Sequence, residues 1–249
     1  MLRESHNGLP LLRFASLSGL PGLVHAVTTR AGGVSDGAFA ALNLGLACGD
    51  DPTAVARNLE LLREALGCER LVWAKQVHGA EIVAVNGRDS GQVAAADGLA
   101  SDQPGVGLLI KQADCQAIVL AAPERGVVAN LHAGWRGNLL GMARRGVEFL
   151  HERYGVAPHQ IHAAISPSLG PCCAEFVNWR AEFPPEMAAY QVSPNHFDLW
   201  RVSVDQLIAA GVDPERVEVS GICTKCGQEF FSYRRQGTTG RFGTVAGWR

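Results

Sequence analysis

GVGLLIKQADCQAIVLAAPERGVVANLHAGWRG, residues 105–137, decides how this chain is built. Three short apolar runs, GVGLLIK, QAIVLAA and GVVANLH, are separated by turn residues and read as buried strands. The polar residues gather at their ends: Asp114 and Cys115 between the first two strands, His132 closing the third. A carboxylate left unpaired in an apolar setting is costly, so Asp114 needs a partner. After His132, Leu139, Leu140, Ala143, Val147 and Leu150 recur at helical spacing. The unit is strand, glycine loop, helix.

Outward from this unit the same alternation continues. GLVHAVTTRAGGVSDG reads as a strand ending in a glycine-rich loop with Arg30 at the junction. DDPTAVARNLELLREALG carries a helix's punctuation: Asp51 as N-cap, Pro52 in the first turn, apolar residues at helical spacing, Gly67 as stop. LVWAKQVHG and EIVAV read as strands with His78 in the turn between them. Further on, QIHAAIS and RVEVS predict strands, and a segment through the 180s and VDQLIAAG predict helices. A basic tail with FFSYRRQGTTGRF closes the chain. This order argues for a mixed α/β or α+β architecture with mixed sheets. Without a linker, charge run or internal repeat, a single domain over 1–249 is expected.

Composition narrows the function. The net charge of −2, with no basic block, gives no footprint for nucleic acid or an anionic membrane surface. The N-terminus lacks a secretory core, and no stretch nears the roughly 18 apolar residues of a membrane span. A cytoplasmic protein is expected, with no protein partner predicted. Seven cysteines in such a chain suggest reduced thiols or metal ligands rather than disulfides. The 29 glycines favour tight turns and close backbone approach to a ligand.

His78, Cys115 and His132 lie at the ends of predicted strands. Two imidazoles and a thiolate form a zinc ligand set that leaves a fourth position for water or substrate. The alternative is that Cys115 is a small buried hydrophobe and each histidine a satisfied polar residue. Gly134 opens the predicted helix after His132, where free N–H groups can hold an anion, and Arg136 adds a phosphate contact or else lies on a solvated helix face. Arg234, Arg235 and Arg241 either fold back over that anion site or form a solvated tail. Cys223-Thr-Lys-Cys226 and the adjacent Cys172 and Cys173 read as structural thiols rather than a second metal site, and Cys48 and Cys68 as packing residues. His25 reads as a core or surface histidine.

Taken in order, TTRAGGVSDGAFAALNLG, KQVHGAEI, ADGLASDQPGVGLLIKQADC, NLHAGWRG, PSLGPCC, GICTKC and FFSYRRQGTTGR resemble the YfiH/YlmD family, also called the laccase-domain or polyphenol oxidase family. The motifs run from about residue 25 to the C-terminus. The resemblance implies a single four-layer αββα domain, and a zinc site on His78, Cys115 and His132. It also implies phosphorolysis of purine nucleosides (adenosine, inosine, guanosine and methylthioadenosine), with adenosine deamination alongside. Three positions depart from the family pattern: Gln112 stands for the usual Thr, Ala117 for Pro and Ser166 for Gly.

The older names fail a ligand count. A multicopper centre needs many histidines, often as His-x-His pairs, and this chain has 8 histidines and no such pair. Copper can still occupy a nitrogen and sulfur site in vitro, because Cu²⁺ outcompetes Zn²⁺ there. In the expected mechanism the ion polarises phosphate or water, Arg30, Arg136 and the helix N-terminus grip phosphate, and Asp114 supports a ligand imidazole or moves a proton. The rival chemistry is a cysteine hydrolase with Cys115 as nucleophile and His132 or His78 as base.

Overall fold

The computed structural model describes residues 1–249. Strands β1 (Leu2–His6) and β2 (Leu9–Arg13) form a hairpin, followed by β3 (Leu23–Thr28) and helix α1 (Pro52–Leu66). Next come β4 (Arg70–Lys75), β5 (Ile82–Ala84), β6 (Gly91–Ala95) and β7 (Gly98–Ser101). The central unit is β8 (Val106–Gln112), β9 (Gln116–Ala122) and β10 (Val127–Ala133), then helices α2 (Trp135–Leu139) and α3 (Met142–Tyr154). Strand β11 (His162–Ile165), the helical turn α4 (Trp179–Glu182) and the small pair β12 (Gln191–Ser193) and β13 (His196–Phe197) precede α5 (Leu199–Ala209). The chain ends with β14 (Val217–Val219), α6 (Tyr233–Gln236) and β15 (Phe242–Trp248).

Two mixed sheets result. One has the order β1-β2-β3-β15-β8-β4-β6, the other β14-β11-β9-β10-β7-β5. Their central strands β8, β9, β10 and β15 are buried on both faces, which is why these runs lack polar alternation, while the edge strands β1 and β6 are largely exposed. Val119 and Ala121 of β9 face the first sheet with Leu108, Phe242 and Ala246. Ile118 and Leu120 point the other way, onto Val147 and Leu150 of α3 and Leu207 of α5. Helix α1 covers the outer face of the first sheet through Val55, Leu59, Leu62 and Leu66, packed on Leu109 and Val245. The layers are therefore helix, sheet, sheet, helix, the four-layer αββα sandwich that the resemblance implied. No helix is long and apolar enough to cross a membrane.

Helix α1 forms as its punctuation requires. The Asp51 carboxylate accepts from the Thr53 amide at 2.9 Å, and Gly67 closes the helix at φ 65°.

Three sequence expectations need correction. The helix after His132 is broken: Gly141, at φ 74°, separates the five-residue α2 from α3. The segment through the 180s gives only α4 and a 3₁₀ stretch over Pro185–Tyr190, because Pro184 and Pro185 end the α-helix. The basic segment does not close the chain as a tail but leads into a strand: β15 lies between β3 and β8, fully buried, while Tyr233, Arg234 and Gln236 before it are exposed.

Candidate metal centre and substrate cleft

Strands β4, β6 and β8 lie side by side and parallel in the first sheet. At the same end of each, the chain crosses to the second sheet, into β5, β7 and β9 respectively. His78 lies on the first crossing, Asp97 on the second and Cys115 on the third. Strand β10, antiparallel to β9 and β7, brings His132 to that end from the opposite direction. Topology thus converges four residues far apart in sequence.

The donor atoms of His78, Cys115 and His132 all lie within 4.8 Å of one another. The two imidazole rings meet edge to face at 4.9 Å between centroids. Gly134 lines the same spot, and a Cβ there would come within 3.0 Å of Cys115 Sγ and 3.3 Å of His78 Cδ2. A larger residue would crowd the donors.

Behind them sits Asp97, fully buried. One carboxylate oxygen meets His132 Nδ1 at 2.9 Å and accepts from the His78 amide at 2.9 Å. The other accepts from the Gly79 amide at 2.7 Å. These amides line up because His78 takes the left-handed conformation, φ 61°, an uncommon state for a residue with a side chain. Holding Nδ1 turns His132 Nε2 toward the centre, the arrangement by which a carboxylate orients a ligand imidazole. Burial works against the Asp97 charge, but His132 and the Gly79 and His78 amides hold its carboxyl below the ordinary range.

Burial also opposes charge on Cys115, yet the adjacent His132 brings its thiol down to about 6. His132 moves the opposite way: against burial, Cys115 and Asp97 push it up to about 9. Between those values the metal-free pair is thiolate and imidazolium. A site that stabilises a thiolate beside two imidazoles fits a borderline-soft dication, and the donors lie close to the span one such ion bridges with bonds of about 2.0–2.3 Å.

The centre opens into a cleft of about 670 Å³, within the usual range for small-molecule sites. Lys111, Gln76, Cys48 and Arg241 line it together with Trp135, Phe176, Tyr233, Arg136 and Arg234. Lys111 is partly desolvated: burial pushes its ammonium down to about 8, and Nζ lies 4.9 Å over the Trp73 ring. Arg136 is exposed and stacks on Trp135 at 4.1 Å. Since α2 is only five residues long, the dipole expected at Gly134 reduces to that of a single turn.

The remaining sequence candidates fall in different places. Asp114 lines the cleft, but its carboxylate accepts from Thr224 Oγ1 and the Arg234 amide, both at 2.6 Å. The carboxylate behind the ligand imidazole is Asp97, not Asp114. Arg30 does not line the cleft: its guanidinium donates to the Ala40 carbonyl at 2.8 and 2.9 Å and stacks on Phe231. Arg234 and Arg241 do fold back to the cleft, while Arg235 turns away to the carbonyls of Thr224 and Phe230. His25 is a core histidine whose Nε2 lies 3.1 Å from the Phe14 amide. Cys68 packs in the core, whereas Cys48 reaches the cleft. Cys172, Cys173, Cys223 and Cys226 form a second candidate metal group, contrary to their reading as separate structural thiols, because two neighbouring loops fold them together.

Sequence reading missed Asp97 and Lys111. The first stands in Ala-Ala-Asp-Gly, directly before a strand; the second is the lone charge inside GVGLLIK. Each was a visible signal, a charge at or inside a buried strand.

A family model described as multi-copper polyphenol oxidoreductase laccase matches residues 24–249. The purine nucleoside phosphorylase YlmD of Geobacillus stearothermophilus is 41% identical, over 92% of this chain and 91% of its own. A purine nucleoside phosphorylase of Deinococcus radiodurans is 38% identical, over 96% and 93%. The crystal structure of the Geobacillus YlmD superposes with a TM-score of 0.89 at 39% identity, covering 99% of this chain and 98% of that one. A Bacillus licheniformis hypothetical protein, YfiH, gives 0.88 at 30% identity, over 97% and 96%.

Proposed function

The chain belongs to the YfiH/YlmD family, whose model bears the laccase description, and from that membership and the cleft we propose that it is a zinc-dependent purine nucleoside phosphorylase. The observation that carries this reading is a three-donor centre, backed by a carboxylate, opening into a cleft with aromatic and cationic walls. Its substrates are adenosine, inosine, guanosine and methylthioadenosine with inorganic phosphate, and adenosine deamination is a second activity of the same centre. The protein works in the cytoplasm, where its seven cysteines stay free.

His78, Cys115 and His132 hold the zinc. When bound, the ion supplies a Lewis acid toward phosphate or water and lowers the pKa of that water. The chain's own residues do the rest. Phe176, Tyr233 and Trp135 offer aromatic faces to the purine. Lys111, Arg136 and Arg241 offset the charge of a phosphate dianion, and Gly134 keeps the approach to the centre free. Phosphorolysis breaks the bond between sugar carbon and purine nitrogen while a phosphate oxygen bonds to that carbon. Positive charge builds on the ribose as the purine leaves, so a positioned phosphate is both nucleophile and charge partner. Asp97 orients His132 throughout, and Asp114 holds the turn that carries Cys115.

The test is incubation of metal-quantified protein with a nucleoside panel, with and without phosphate. Free base and sugar-1-phosphate that require phosphate support the proposal; base released equally well without phosphate overturns it. Hypoxanthine compounds formed from adenosine report the deaminase activity.

One observation favours a second chemistry. A thiol at about 6 beside an imidazole is also the state of a cysteine nucleophile. Alkylation separates the two: a metal ligand resists iodoacetamide until chelator is added, whereas a nucleophile reacts at once. The copper oxidase reading lacks ligands, since His78 and His132 are the histidines of the one mixed cluster and the other group is all thiol.

A further inference from the structure

Strands β11 and β14 run parallel as neighbours at one edge of the second sheet, and their pairing continues past their ends. Ser168 bridges to Cys223, with the Ser168 amide donating to the Ile222 carbonyl and the Thr224 amide donating to the Ser168 carbonyl at 3.0 Å. The two loops therefore leave the sheet together, one carrying Cys172 and Cys173, the other Cys223 and Cys226. In the first loop, the Cys173 and Ala174 amides both donate to the Gly170 carbonyl at 2.9 Å. That tight turn lets two consecutive thiols face the same point.

The four sulfurs lie within 4.8 Å of one another. Cys226 Sγ is 3.5 Å from Cys172 Sγ and 3.5 Å from Cys173 Sγ. Four thiolates around one zinc, with bonds of about 2.3 Å, stand about 3.8 Å apart at the corners of a tetrahedron. A disulfide framework would pair the sulfurs two by two, but Cys226 is equidistant from two partners. Backbone amides point at the group as well: the Gly170 amide donates to Cys223 Sγ at 3.3 Å, and those of Lys225 and Cys226 face the same sulfur. Amide donors toward the first thiol of a Cys-x-x-Cys turn stabilise it as a thiolate. Hydrophobic packing gives no reason for the cluster, since Cys172 and Cys226 are exposed.

We propose that Cys172, Cys173, Cys223 and Cys226 bind one zinc ion in a closed, structural site that braces the floor of the cleft. With four protein ligands no position is open for water, so the ion ties loops together and takes no part in chemistry. What it ties reaches the pocket directly. Thr224, inside the Cys-x-x-Cys turn, donates to the Asp114 carboxylate, and the Leu169 amide donates to the Asp114 carbonyl at 2.8 Å. Asp114 precedes Cys115. The guanidinium of Arg234 donates to the Glu175 carbonyl at 2.8 Å, and that of Arg235 to the Thr224 carbonyl at 2.7 Å. Two cations thus flank a centre that four thiolates and one dication leave negative.

The test uses the full chain carrying His132→Ala, so that loss of the pocket ion does not confuse the count. Purified without chelator and measured by elemental analysis, this protein is expected to retain about one zinc per chain. Adding Cys172→Ser and Cys226→Ser should remove it and lower the melting temperature by several degrees. In the wild-type protein, all four thiols should resist alkylation until chelator is present. Cobalt loading of the His132→Ala protein should give the intense thiolate-to-metal absorption of a sulfur-rich tetrahedral site. The proposal is overturned if the His132→Ala protein holds no zinc and its four thiols alkylate freely. A mass showing two hydrogens lost to a disulfide among them, or iron in place of zinc, also overturns it. The phosphorylase assay is independent of these results.

Discussion

The pocket gathers two imidazoles and one thiol from two crossings between the sheets and the end of strand β10, while the second group gathers four thiols from two loops that leave one sheet edge together. The difference is one of chemistry as well as origin. Three donors of mixed softness, with Asp97 aiming one imidazole and a cleft in front, leave room for a reacting group. Four thiols closing on one point leave none. The two groups are nevertheless joined, since Asp114 beside the pocket thiol accepts from Thr224 between Cys223 and Cys226. A working centre is thus set on a braced one.

The sharpest way to break this contrast is His132→Ala. Removing a pocket donor is expected to lower turnover about 1,000-fold, since a bound ion contributes several kcal/mol and each 1.36 kcal/mol is about tenfold in rate. Steady-state phosphorolysis with parallel metal analysis checks it. If Cys172→Ser with Cys226→Ser costs as much turnover while the pocket keeps its ion, the division into working and bracing sites fails.

Asp97→Asn comes next. The amide keeps the shape but gives up the charge that holds His132 Nδ1 and the amides of the His78 turn. Loss of such a supporting carboxylate typically costs about 10–100-fold in metal affinity or activity. Chelator competition should show weaker binding at the pocket and unchanged binding at the four cysteines. Equal weakening at both would mean that Asp97 supports the fold at large.

The two regions were unequally legible in the sequence. The pocket's candidate donors stood at the ends of buried runs, where a polar side chain needs a partner, and the motif resemblance marked them. The four-cysteine group was visible as residues but not as a site, because adjacent cysteines converge only when a tight turn folds both the same way. Asp97 was hidden for a related reason: its role depends on three parallel strands crossing between sheets at one end, a property of topology rather than of local sequence. The helix pattern after His132 ran through Gly141, whose left-handed conformation breaks the helix. The β1–β2 hairpin had a local signal, Asn7-Gly8, with φ of 50° and 83°. Arg30 looked like a phosphate ligand at a loop junction, yet it satisfies the Ala40 carbonyl instead.

A smaller effect separates the regions by charge. Lys111 faces the cleft, and Lys111→Gln is expected to raise the KM for phosphate about tenfold, the size of one hydrogen bond to a charged group. Burial depresses its pKa to about 8 from the ordinary 10.5, so the positive charge fades as pH rises through about 8. Wild-type KM for phosphate should therefore climb above that pH, while the variant's stays flat there. The linkage to stability has the opposite sense. Between about 8 and 10.5 the unfolded chain keeps a proton that the folded chain has lost, so this group's contribution to stability rises with pH. A wild-type KM that stays level from pH 7 to 9.5 would take Lys111 out of the phosphate site.

The smallest expected change lies at the junction of the two regions. Asp114 is held at φ 90°, left-handed and rare for a residue with a side chain, and two donors fix its carboxylate. In Asp114→Asn one oxygen can still accept from Thr224, but the new amide nitrogen faces the Arg234 N–H, donor against donor. The lost charge-assisted bond should cost about 1.5–3 kcal/mol of stability, seen as a lower melting temperature. Turnover should fall only a few-fold with the pocket ion fully retained, because Asp114 positions the Cys115 turn and does not hold His132. A proton-transfer role would be worth far more, about 100- to 10,000-fold. A loss of that size with both metal sites occupied would place Asp114 in the reaction itself and make the floor of the cleft part of its chemistry.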